Sequence, residues 1–338
     1  MKLRFKTPDF IKRKGPVLVP DQVPYECALT FNAGVSRWQE GGYVMLFRND
    51  YGFSKEDYDA VYEGKAKRLP PTKSNFGLAF SSDGLNWKIK PEPVFSMSGN
   101  GIKRAYDPRI TPLENGDYGV CFAVESVAGI RGGVSVTKDF KTFDIKDLSV
   151  PVNRNMALFP EKINGEYVRL ERPFLVNDQY HSIWLSRSPD LIHWGESELV
   201  LDCRSLPYAD LKIGPAAPPV KTPQGWLTTI HGVEVQDQPF PGWTRTWSRC
   251  YYGGLMLLDL ENPAKIIALA DIPFLVPEEP YEIEGYRGGV IFPGAMIFEP
   301  DGTAKIYYGA ADTVECLAEA KISDLIDFCF EHNIANKI

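Results

Sequence analysis

Residues 106–126 read YDPRITPLENGDYGVCFAVES, in which two short runs rich in β-branched and aromatic side chains flank the turn ENGD. Two such runs joined by a glycine-containing turn predict a β-hairpin. The pattern recurs four times, with the turns EGG, NGE, PQG and EPDG. These further copies occupy residues 31–50, 159–174, 217–234 and 292–312.

A second repeated stretch follows each hairpin, a polar turn that ends in an aromatic or apolar residue. Clear copies are SSDGLNW (81–87), TKDFKTF (137–143) and SRSPDLIHW (186–194), and weaker ones are LDLENPAKI (258–266) and KISDLIDF (321–328). A unit of about 50 to 75 residues with four strands is typical of a propeller blade. We therefore predict an all-β fold, a single five-bladed β-propeller domain over residues 1–338. A β-sandwich, which also spaces its turns regularly, is the alternative.

The composition excludes several classes of partner. The 338 residues carry a net charge of −7, so the chain as a whole repels polyanions, and we expect neither nucleic acid nor a membrane as partner. The basic start MKLRFKTPDFIKRKG precedes no apolar stretch of signal-peptide length, and no segment approaches the roughly 18 apolar residues of a membrane span. We therefore expect a cytoplasmic protein.

The cysteines give no sign of a metal site. The chain has six, widely spaced, with no C-x-x-C pair and no histidine at ligand spacing. Without an export signal, a disulfide framework is not expected either. We interpret the six cysteines as buried thiols.

Polar residues recur near the ends of the five hairpins. Arg48, Arg172 and His231 each stand five residues after the aromatic residue of their turn, Asp312 lies at about the same level, and Glu125 ends the second hairpin. Because the first strand of each propeller blade lines the channel, these ends should converge on the axis. Charged groups are rarely buried without partners. The ring therefore indicates either ion pairs that fasten adjacent blades or a central axial active-site pocket.

The polar ring has an excess of cations. Lys212 in DLKIGPAAPP and Arg154 in VNRNMALFP also stand near strand starts. Such a cluster favours an anionic ligand, and arginine suits phosphate because its planar fork donates two hydrogen bonds at once.

Asp107, in AYDPR, is the acid with the most distinctive position. An aspartate before proline is usually a turn residue, but the aligned positions in the other copies carry no acid. We align Asp107 with Asn32, Phe159, Ala217 and Phe292. The other acids near the channel are Glu125, Glu171, Glu234 and Asp312.

The ratio of acids to cations bears on the reaction. Hydrolysis of a glycoside usually takes two carboxylates, one to protonate the leaving oxygen and one to activate water or attack the sugar. Phosphate is already an anionic nucleophile, so phosphorolysis needs one acid and a cationic cradle. One well-placed acid beside several cations therefore favours phosphorolysis.

Two stretches interrupt the repeat, residues 55–75, which are charged, and residues 236–250, which are rich in aromatics. We expect both to be long loops between strands that overhang the binding site. Because aromatic faces such as those of Trp243 and Trp247 suit sugar rings, a sugar-binding propeller without chemistry is an alternative function.

Several longer motifs run over nearly the entire chain. They are NAGV, LFRND, YDPRI, NRNMALFPEKINGEYVRLERPF, LKIGPAAPP and YYGAADT. Together they resemble the motifs of glycoside hydrolase family 130, the mannoside phosphorylases, and RNMALFPEK, RLERP and GAADT are the specific ones. The resemblance implies a five-bladed propeller and a reversible, inverting phosphorolysis of a β-mannosidic bond. The products would be α-mannose 1-phosphate and the acceptor sugar.

The same resemblance implies roles for nine residues. Asp107 corresponds to the general acid, which passes its proton through a sugar hydroxyl. The expected phosphate ligands are Arg154, Arg172 and Lys212, with His231 contacting phosphate or substrate. The expected contacts of the mannosyl unit or its neighbour are Asn32, Arg48, Tyr106 and Asp312. Inorganic phosphate is a co-substrate, and no cofactor is implied.

The alternative enzyme is an inverting β-mannosidase that uses Glu125, Glu171 or Glu234 as a base. Family members that use water lack part of the basic cluster, whereas Arg154, Arg172 and Lys212 are all present here. The cluster therefore favours the phosphorylase. The sequence leaves the acceptor sugar and the linkage open, and a symmetric homo-oligomer is expected only on general grounds.

Overall fold

Five antiparallel sheets make up the computed structural model, which describes residues 3–174 and 180–337. The sheets surround one axis, and the first strand of each lies innermost, against the first strands of its neighbours. The chain is therefore a five-bladed β-propeller, which confirms the predicted fold class, and the sandwich alternative is wrong. The predicted domain bounds, residues 1 and 338, lie outside the described residues.

The first strand along the chain, β1 (Lys12–Leu18), belongs to blade 5, the last blade. Blades 1, 2 and 3 then follow in chain order. Blade 1 contains β2 (Leu29–Arg37), β3 (Tyr43–Tyr51), helix α1 (Lys55–Tyr62), β4 (Lys73–Ser81) and β5 (Lys88–Ile89). Blade 2 contains β6 (Ile102–Pro112), β7 (Tyr118–Ser126), β8 (Gly129–Thr137) and β9 (Asp144–Leu148). Blade 3 contains β10 (Asn153–Leu158), β11 (Tyr167–Pro173), β12 (Ile183–Ser188) and β13 (Gly195–Leu201).

The last two blades include the ring closure. Blade 4 contains β14 (Lys212–Pro215), β15 (Val220–Thr222), β16 (Gly225–Val235), β17 (Arg249–Leu258) and β18 (Ile266–Leu269). After helix α2 (Pro280–Ile283), blade 5 contains β19 (Ile291–Phe298), β20 (Thr303–Ala310) and β21 (Val314–Lys321), and helix α3 (Ile322–Glu331) follows. Strand β1 pairs with β21 as the outer strand of blade 5, so the two ends of the chain close the ring in one sheet.

The stretch 321–328 was expected to be a fifth polar turn and is instead mostly α3. Four apolar residues of α3 are buried at helical spacing, Leu325, Ile326, Phe328 and Cys329. A strand would have sent alternate residues of this run into solvent. The prediction was wrong here because the outer-strand position is already filled by β1.

The other four polar turns share one interaction. In each turn an aspartate side chain accepts hydrogen bonds from the backbone amides two and three residues later, at 2.8–3.3 Å. The four residues are Asp83, Asp139, Asp190 and Asp259. An aspartate that mimics a backbone turn in this way explains why the repeat carries Asp at that position.

The core lies between adjacent blades. On β7, Val120, Phe122 and Val124 point toward blade 1, where they pack with residues such as Leu46 of β3. The intervening Cys121 points the other way and packs against Met156 and Leu158 of blade 3. Inner strands such as β2, β3 and β7 therefore bury both faces, which explains the apolar runs that the sequence shows in place of strict alternation.

The innermost strands of blades 1, 2 and 3 share a β-bulge at the same level. Each bulge contains one residue with a left-handed backbone, Asn32 (φ 53°), Asp107 (φ 55°) or Asn155 (φ 58°). Asn and Asp adopt this conformation more readily than other residues with a side chain. The structural equivalent of Asp107 in blade 3 is thus Asn155, not Phe159 as aligned above, although neither is an acid.

The interrupting stretches were predicted to be long loops, and this is only partly correct. Residues 55–62 form α1, which Ser54 caps by accepting from the Asp57 amide, and β4 begins at Lys73. Residues 236–248 contain no helix or strand. Among the described residues, no helix is long and apolar enough to cross a membrane. Five of the six cysteines are buried, as predicted, and Cys27 is half-buried.

Candidate active site

A pocket of about 210 Å³ lies at one end of the axis, at the level of the three bulges. All five blades contribute to its wall, because each first strand begins here and each second strand ends here. The residues that line it are Asn32, Arg48, Arg104, Tyr106, Asp107, Glu125, Ile130, Arg154, Asn155, Arg172, His231, Tyr251, Arg287, Phe292 and Asp312. Nine of these fifteen side chains are ionisable Asp, Glu, Arg or His.

Three larger clefts lie elsewhere, of about 770, 530 and 290 Å³. They are formed by blade edges and polar turns, with side chains such as Gln39, Lys90 and Lys138. Size alone would favour them, but binding sites are marked by converging polar groups with perturbed ionisation. We therefore assign the functional site to the smaller axial pocket.

One carboxylate oxygen of Asp107 accepts two hydrogen bonds from neighbouring side chains. Its Oδ1 accepts from Asn32 Nδ2 at 3.0 Å and from Arg48 Nη1 at 2.9 Å. Its Oδ2 accepts no hydrogen bond from any residue that the structure describes. The left-handed backbone of the bulge directs this side chain into the pocket. One oxygen is thus fixed by the protein and the other is available to a ligand.

Arg48 is itself fixed by a buried carboxylate. Its Nε and Nη2 donate to the two oxygens of Asp50 at 2.9 and 2.5 Å, and its guanidinium lies 4.3 Å from the ring centre of Phe31 and 5.0 Å from that of Tyr106. Burial opposes the charge of Arg48, but Asp50 and Asp107 outweigh burial and raise its pKa. Arg48 is therefore a permanent, rigid cation beside Asp107.

Asp312 lies beyond the end of β20, near enough to Arg48 for the two charges to interact. It accepts from Arg287 Nη1 at 3.3 Å and is 9% exposed. Burial raises the pKa of Asp312, against the opposing effect of Arg287 and Arg48, and the nearby Asp107 adds to the increase. A carboxyl group can accept a hydrogen bond from a hydroxyl group or, when protonated, donate one.

Arg154 and Arg172 form the opposite wall. They are directly paired across β10 and β11, and each guanidinium lies 5.4 Å from the ring centre of Phe174. Burial first, and then the charge of Arg154, lower the pKa of Arg172 to about 9. The Nε atoms of both arginines are buried without a hydrogen-bond partner in the described part of the chain.

Lys212 and His231 extend this basic wall into blade 4. Lys212 Nζ lies 5.3 Å from the ring centre of Tyr251, and burial followed by the charges of Arg172 and Arg154 lowers its pKa to about 6. His231 Nε2 lies 3.0 Å from Arg172 Nη1, and burial with the same cations lowers its pKa well below the usual value. His231 is therefore neutral, and its Nε2 accepts from Arg172.

The structure brings together most of the predicted site residues. Eight of the nine predicted residues line the pocket. The ninth, Lys212, contacts the ring of Tyr251, which is itself a lining residue. Glu125 also lines the pocket but is bound by Arg104 and Lys103. Two candidate bases lie outside it. Glu171 accepts from Asn153 and Arg169, and Glu234 from Tyr252 and Gln236.

Sequence reasoning missed several lining residues, which are Arg104, Asn155, Tyr251 and Arg287. It also missed Arg109, which lies beneath the pocket at 3% exposure, with its guanidinium 5.2 Å from the ring centre of Phe292. Burial lowers the pKa of Arg109 to about 10, and its charge acts on Arg172 and His231. The only available signal was the position of Arg109 two residues after Asp107.

The two interrupting stretches meet near Arg287. The hydroxyl groups of Tyr58, in α1, and Tyr286 share a hydrogen bond of 2.7 Å. The ring centre of Trp243 lies within 6.2 Å of both tyrosine ring centres. Arg245 also pairs with Asp59 at 2.7 Å. These stretches therefore form one packed unit beside the pocket. Among the described residues, no group of His, Cys, Asp and Glu is arranged to hold a metal ion.

Comparison with known proteins agrees with this architecture. The family model described as β-1,4-mannooligosaccharide phosphorylase, of glycoside hydrolase family 130, matches residues 24–331. The β-1,4-mannooligosaccharide phosphorylase of Ruminococcus albus is 30% identical over 335 residues, which are 94% of this chain and 90% of that protein. The β-1,2-mannobiose phosphorylase of Listeria innocua is 32% identical over 252 residues, 74% of this chain and 67% of that protein.

A solved structure extends the agreement to the whole fold. The structure of a β-1,2-mannobiose phosphorylase from Listeria innocua, in complex with β-1,2-mannobiose, aligns with a TM-score of 0.81 and 26% identity. The alignment covers 95% of this chain and 99% of that one. The family resemblance drawn from the sequence motifs is thereby confirmed. The chain belongs to glycoside hydrolase family 130.

Proposed function

We propose that the protein is an inverting β-mannoside phosphorylase in which Asp107 donates the proton and Arg154, Arg172 and Lys212 bind the attacking phosphate. The observation that carries the proposal is the division of one small pocket into two walls. One wall presents Asp107, whose Oδ2 accepts no hydrogen bond from the described residues, and the other presents Arg154 and Arg172, whose Nε atoms have no partner among those residues. Phosphorolysis of β-mannosides is also the activity named for the relatives described above.

The hydrogen bonds at Asp107 support its role as proton donor. Because Oδ1 already accepts from Asn32 and Arg48, the proton of the acid form belongs on Oδ2. That oxygen is the one open to the pocket. Arg48 also stabilises the carboxylate that remains after proton transfer. This carboxylate is the form that acts as the base in the reverse reaction.

The basic wall supports a role in phosphate binding. A buried cation without a counter-ion is costly, and an oxyanion that accepts charge-assisted hydrogen bonds offsets this cost. Arg172 already uses Nη1 for His231 and Ile213, which leaves Nη2 and Nε to face a ligand. We assign His231 the task of orienting Arg172, with any direct phosphate contact left to its Nδ1.

The proposed reaction balances without a further reactant. An oxygen of hydrogen phosphate forms a bond to the anomeric carbon while the bond from that carbon to the acceptor oxygen breaks. Asp107 supplies the proton of the new acceptor hydroxyl, and phosphate gives up its own proton, which restores Asp107. Attack from the side opposite the leaving group converts the β-mannoside to α-mannose 1-phosphate.

The competing functions have less support in the pocket. A mannosidase would need a second carboxylate to activate water, and Glu171 and Glu234 lie elsewhere. Glu125 is present but neutralised by Arg104 and Lys103, which hold its pKa low against the effect of burial. A sugar-binding protein without chemistry has no use for the basic cluster of Arg154, Arg172 and Lys212.

The test is an assay of mannoside cleavage with and without phosphate. We expect cleavage only with phosphate, with one equivalent of α-mannose 1-phosphate detected by phosphorus NMR for each acceptor released. Because the named relatives act on β-1,2 and β-1,4 linkages, the substrates should be β-1,2-mannobiose, β-1,4-mannobiose and β-1,4-mannosyl-glucose. Equal cleavage without phosphate would overturn the proposal, and so would recovery of all three substrates intact.

A further inference from the structure

Glu315 is a buried acid that the mechanism above does not use. It lies on β21 of blade 5 at 0% exposure, and its side chain crosses to the innermost strand of blade 1. There Oε2 accepts from the backbone amide of Ala33 at 2.9 Å, and the amide of Asn32 also faces this carboxyl. Glu315 therefore connects two blades at the bulge that carries Asn32.

The bulge explains why a carboxyl is needed there. Where β2 departs from its ladder between Phe31 and Gly34, the amides of Asn32 and Ala33 lose their strand partners. Successive amides beside a left-handed residue form a concave site for an anion. Buried amides left without an acceptor would destabilise this conformation. Glu315 supplies the acceptor.

The side chain of Asn32 is confined on its other side. A Cβ atom on Gly309 would lie 2.1 Å from Asn32 Oδ1, so only glycine permits this approach. Glu315 is paired with Gly309 across β20 and β21. The amide group of Asn32 is thus held between Gly309 and Asp107, with Nδ2 3.0 Å from Asp107 Oδ1.

We propose that Glu315 is a positioning residue for the proton donor, holding the left-handed turn at Asn32 so that its amide fixes Oδ1 of Asp107 and leaves Oδ2 to carry the proton. This inference rests on the proposed role of Asp107. The environment of the Glu315 carboxyl group supports this inference. The second oxygen, Oε1, is buried and has no partner within the described ranges, and burial raises the pKa of this carboxyl. A buried polar group that is only half satisfied calls for a functional reason.

The experiment compares variants at position 315 by their kcat and by their KM for phosphate. Glu315→Met removes the acceptor, and we expect kcat to fall about 10- to 100-fold, the cost of leaving a buried amide without its acceptor. Glu315→Gln retains an oxygen for the Ala33 amide and should keep kcat within about threefold of the parent. The KM for phosphate should stay within about twofold, since the basic wall is untouched.

A double-mutant cycle with Asn32→Ala tests whether Glu315 acts through Asn32. We expect Glu315→Met to lower kcat by no more than about twofold once Asn32 has been replaced. Glu319→Met is the matched control, because Glu319 lies on the same strand but pairs with Lys14 and Lys305 away from the pocket. It should leave kcat unchanged. If Glu315→Met does not fold, Glu315→Asp, which keeps a carboxyl group but is too short, replaces it in the cycle.

Two results would overturn the inference. One is an equal loss of kcat from the change at 315 with and without Asn32, and the other is a loss in Glu315→Gln as large as in Glu315→Met. Asp107→Asn in the same assay separates this inference from the proposed function. If Asp107→Asn is active, the assignment of the acid is wrong. If it is inactive while the cycle is additive, only the role of Glu315 is wrong.

Discussion

Arg48 and Arg172 occupy equivalent positions on the second strands of blades 1 and 3, yet their environments have opposite effects. Arg48 pairs with Asp50 and Asp107, and these carboxylates raise its pKa. Arg172 faces Arg154 and His231, and burial with the neighbouring cation lowers its pKa to about 9. One arginine is part of an ion network with two carboxylates, whereas the other belongs to a cationic cluster that has no carboxylate partner among the described residues.

The difference separates two tasks within one pocket. In the proposed mechanism, the hydrogen bonds from Arg48 and Asn32 hold Asp107 in a fixed orientation for the transition state before any ligand arrives. The wall around Arg172 would make its hydrogen bonds to phosphate only on binding. Changes on the first wall should therefore affect kcat, and changes on the second should affect the KM for phosphate.

The largest expected effect comes from Asp107→Asn. The amide still accepts from Arg48 and Asn32, but it has no proton to transfer, so kcat should fall about 10³-fold. The KM for phosphate should change little, because the basic wall is intact. Initial rates over a matrix of phosphate and mannoside concentrations measure both parameters.

The matched control for Asp107→Asn is Asp144→Asn, which changes a solvent-exposed acid of the same blade. It should have no effect on either parameter, and thermal melting should be unchanged for both variants. Retention of more than about a tenth of kcat by Asp107→Asn would contradict the proton-donor role, since general acid catalysis contributes at least about 10²-fold.

The second expected effect is on the opposite wall. Arg172→Ala removes charge-assisted hydrogen bonds to phosphate, each worth about 1.5–3 kcal/mol, so the KM for phosphate should rise at least about tenfold. The KM for the mannoside should stay within about twofold. Sulfate, as a competitive inhibitor against phosphate, should weaken by the same factor.

Arg187→Ala is the control for Arg172→Ala, since Arg187 lies in the same blade but pairs with Glu198 near the surface. It should leave both KM values unchanged. A rise in the mannoside KM alone, with phosphate unaffected, would mean that the two walls have been assigned the wrong way round.

The repeat predicted the five blades well because each hairpin is local, with strands joined by a turn that its own residues specify. Ring closure by β1 is not local, since its partner β21 lies at the other end of the chain. Helix α1 did carry a signal, the cap formed by Ser54 and Asp57, within a stretch whose charge suggested a loop. Helix α3 also carried a signal, the helical spacing of its apolar residues.

The site was predicted by residue type at strand ends, and the bulges limited the accuracy. A bulge adds a residue to one strand, so alignment at the start of each hairpin matched Asp107 to Phe159 when the structural equivalent is Asn155. Glu315 and Arg109 could not be found in this way. Each lies in an ordinary strand, and its importance arises from a neighbour in another blade.

The smallest expected effect concerns Lys212 and the pH dependence of phosphate binding. In the free protein, burial and the neighbouring arginines lower its pKa to about 6, so the amine is largely neutral at pH 7.5. A bound phosphate dianion favours the ammonium form and raises that pKa. Binding therefore takes up a proton above pH 6 and none well below it. The KM for phosphate should rise with pH above 6, by at most about tenfold per unit for one proton.

Lys212→Arg isolates this effect from the ionisation of phosphate itself, because an arginine at this position stays charged over the same range. The pH profile of the variant should rise less steeply than that of the parent, whatever its absolute KM. Calorimetry in buffers of different ionisation enthalpy should detect proton uptake on phosphate binding by the parent at pH 7.5 and less by Lys212→Arg. Parallel profiles, with equal proton uptake, would show that Lys212 does not change charge on binding. In that case the charge of Lys212 would be the same before and after phosphate binds, and the contrast between the two walls would rest on Arg154 and Arg172 alone.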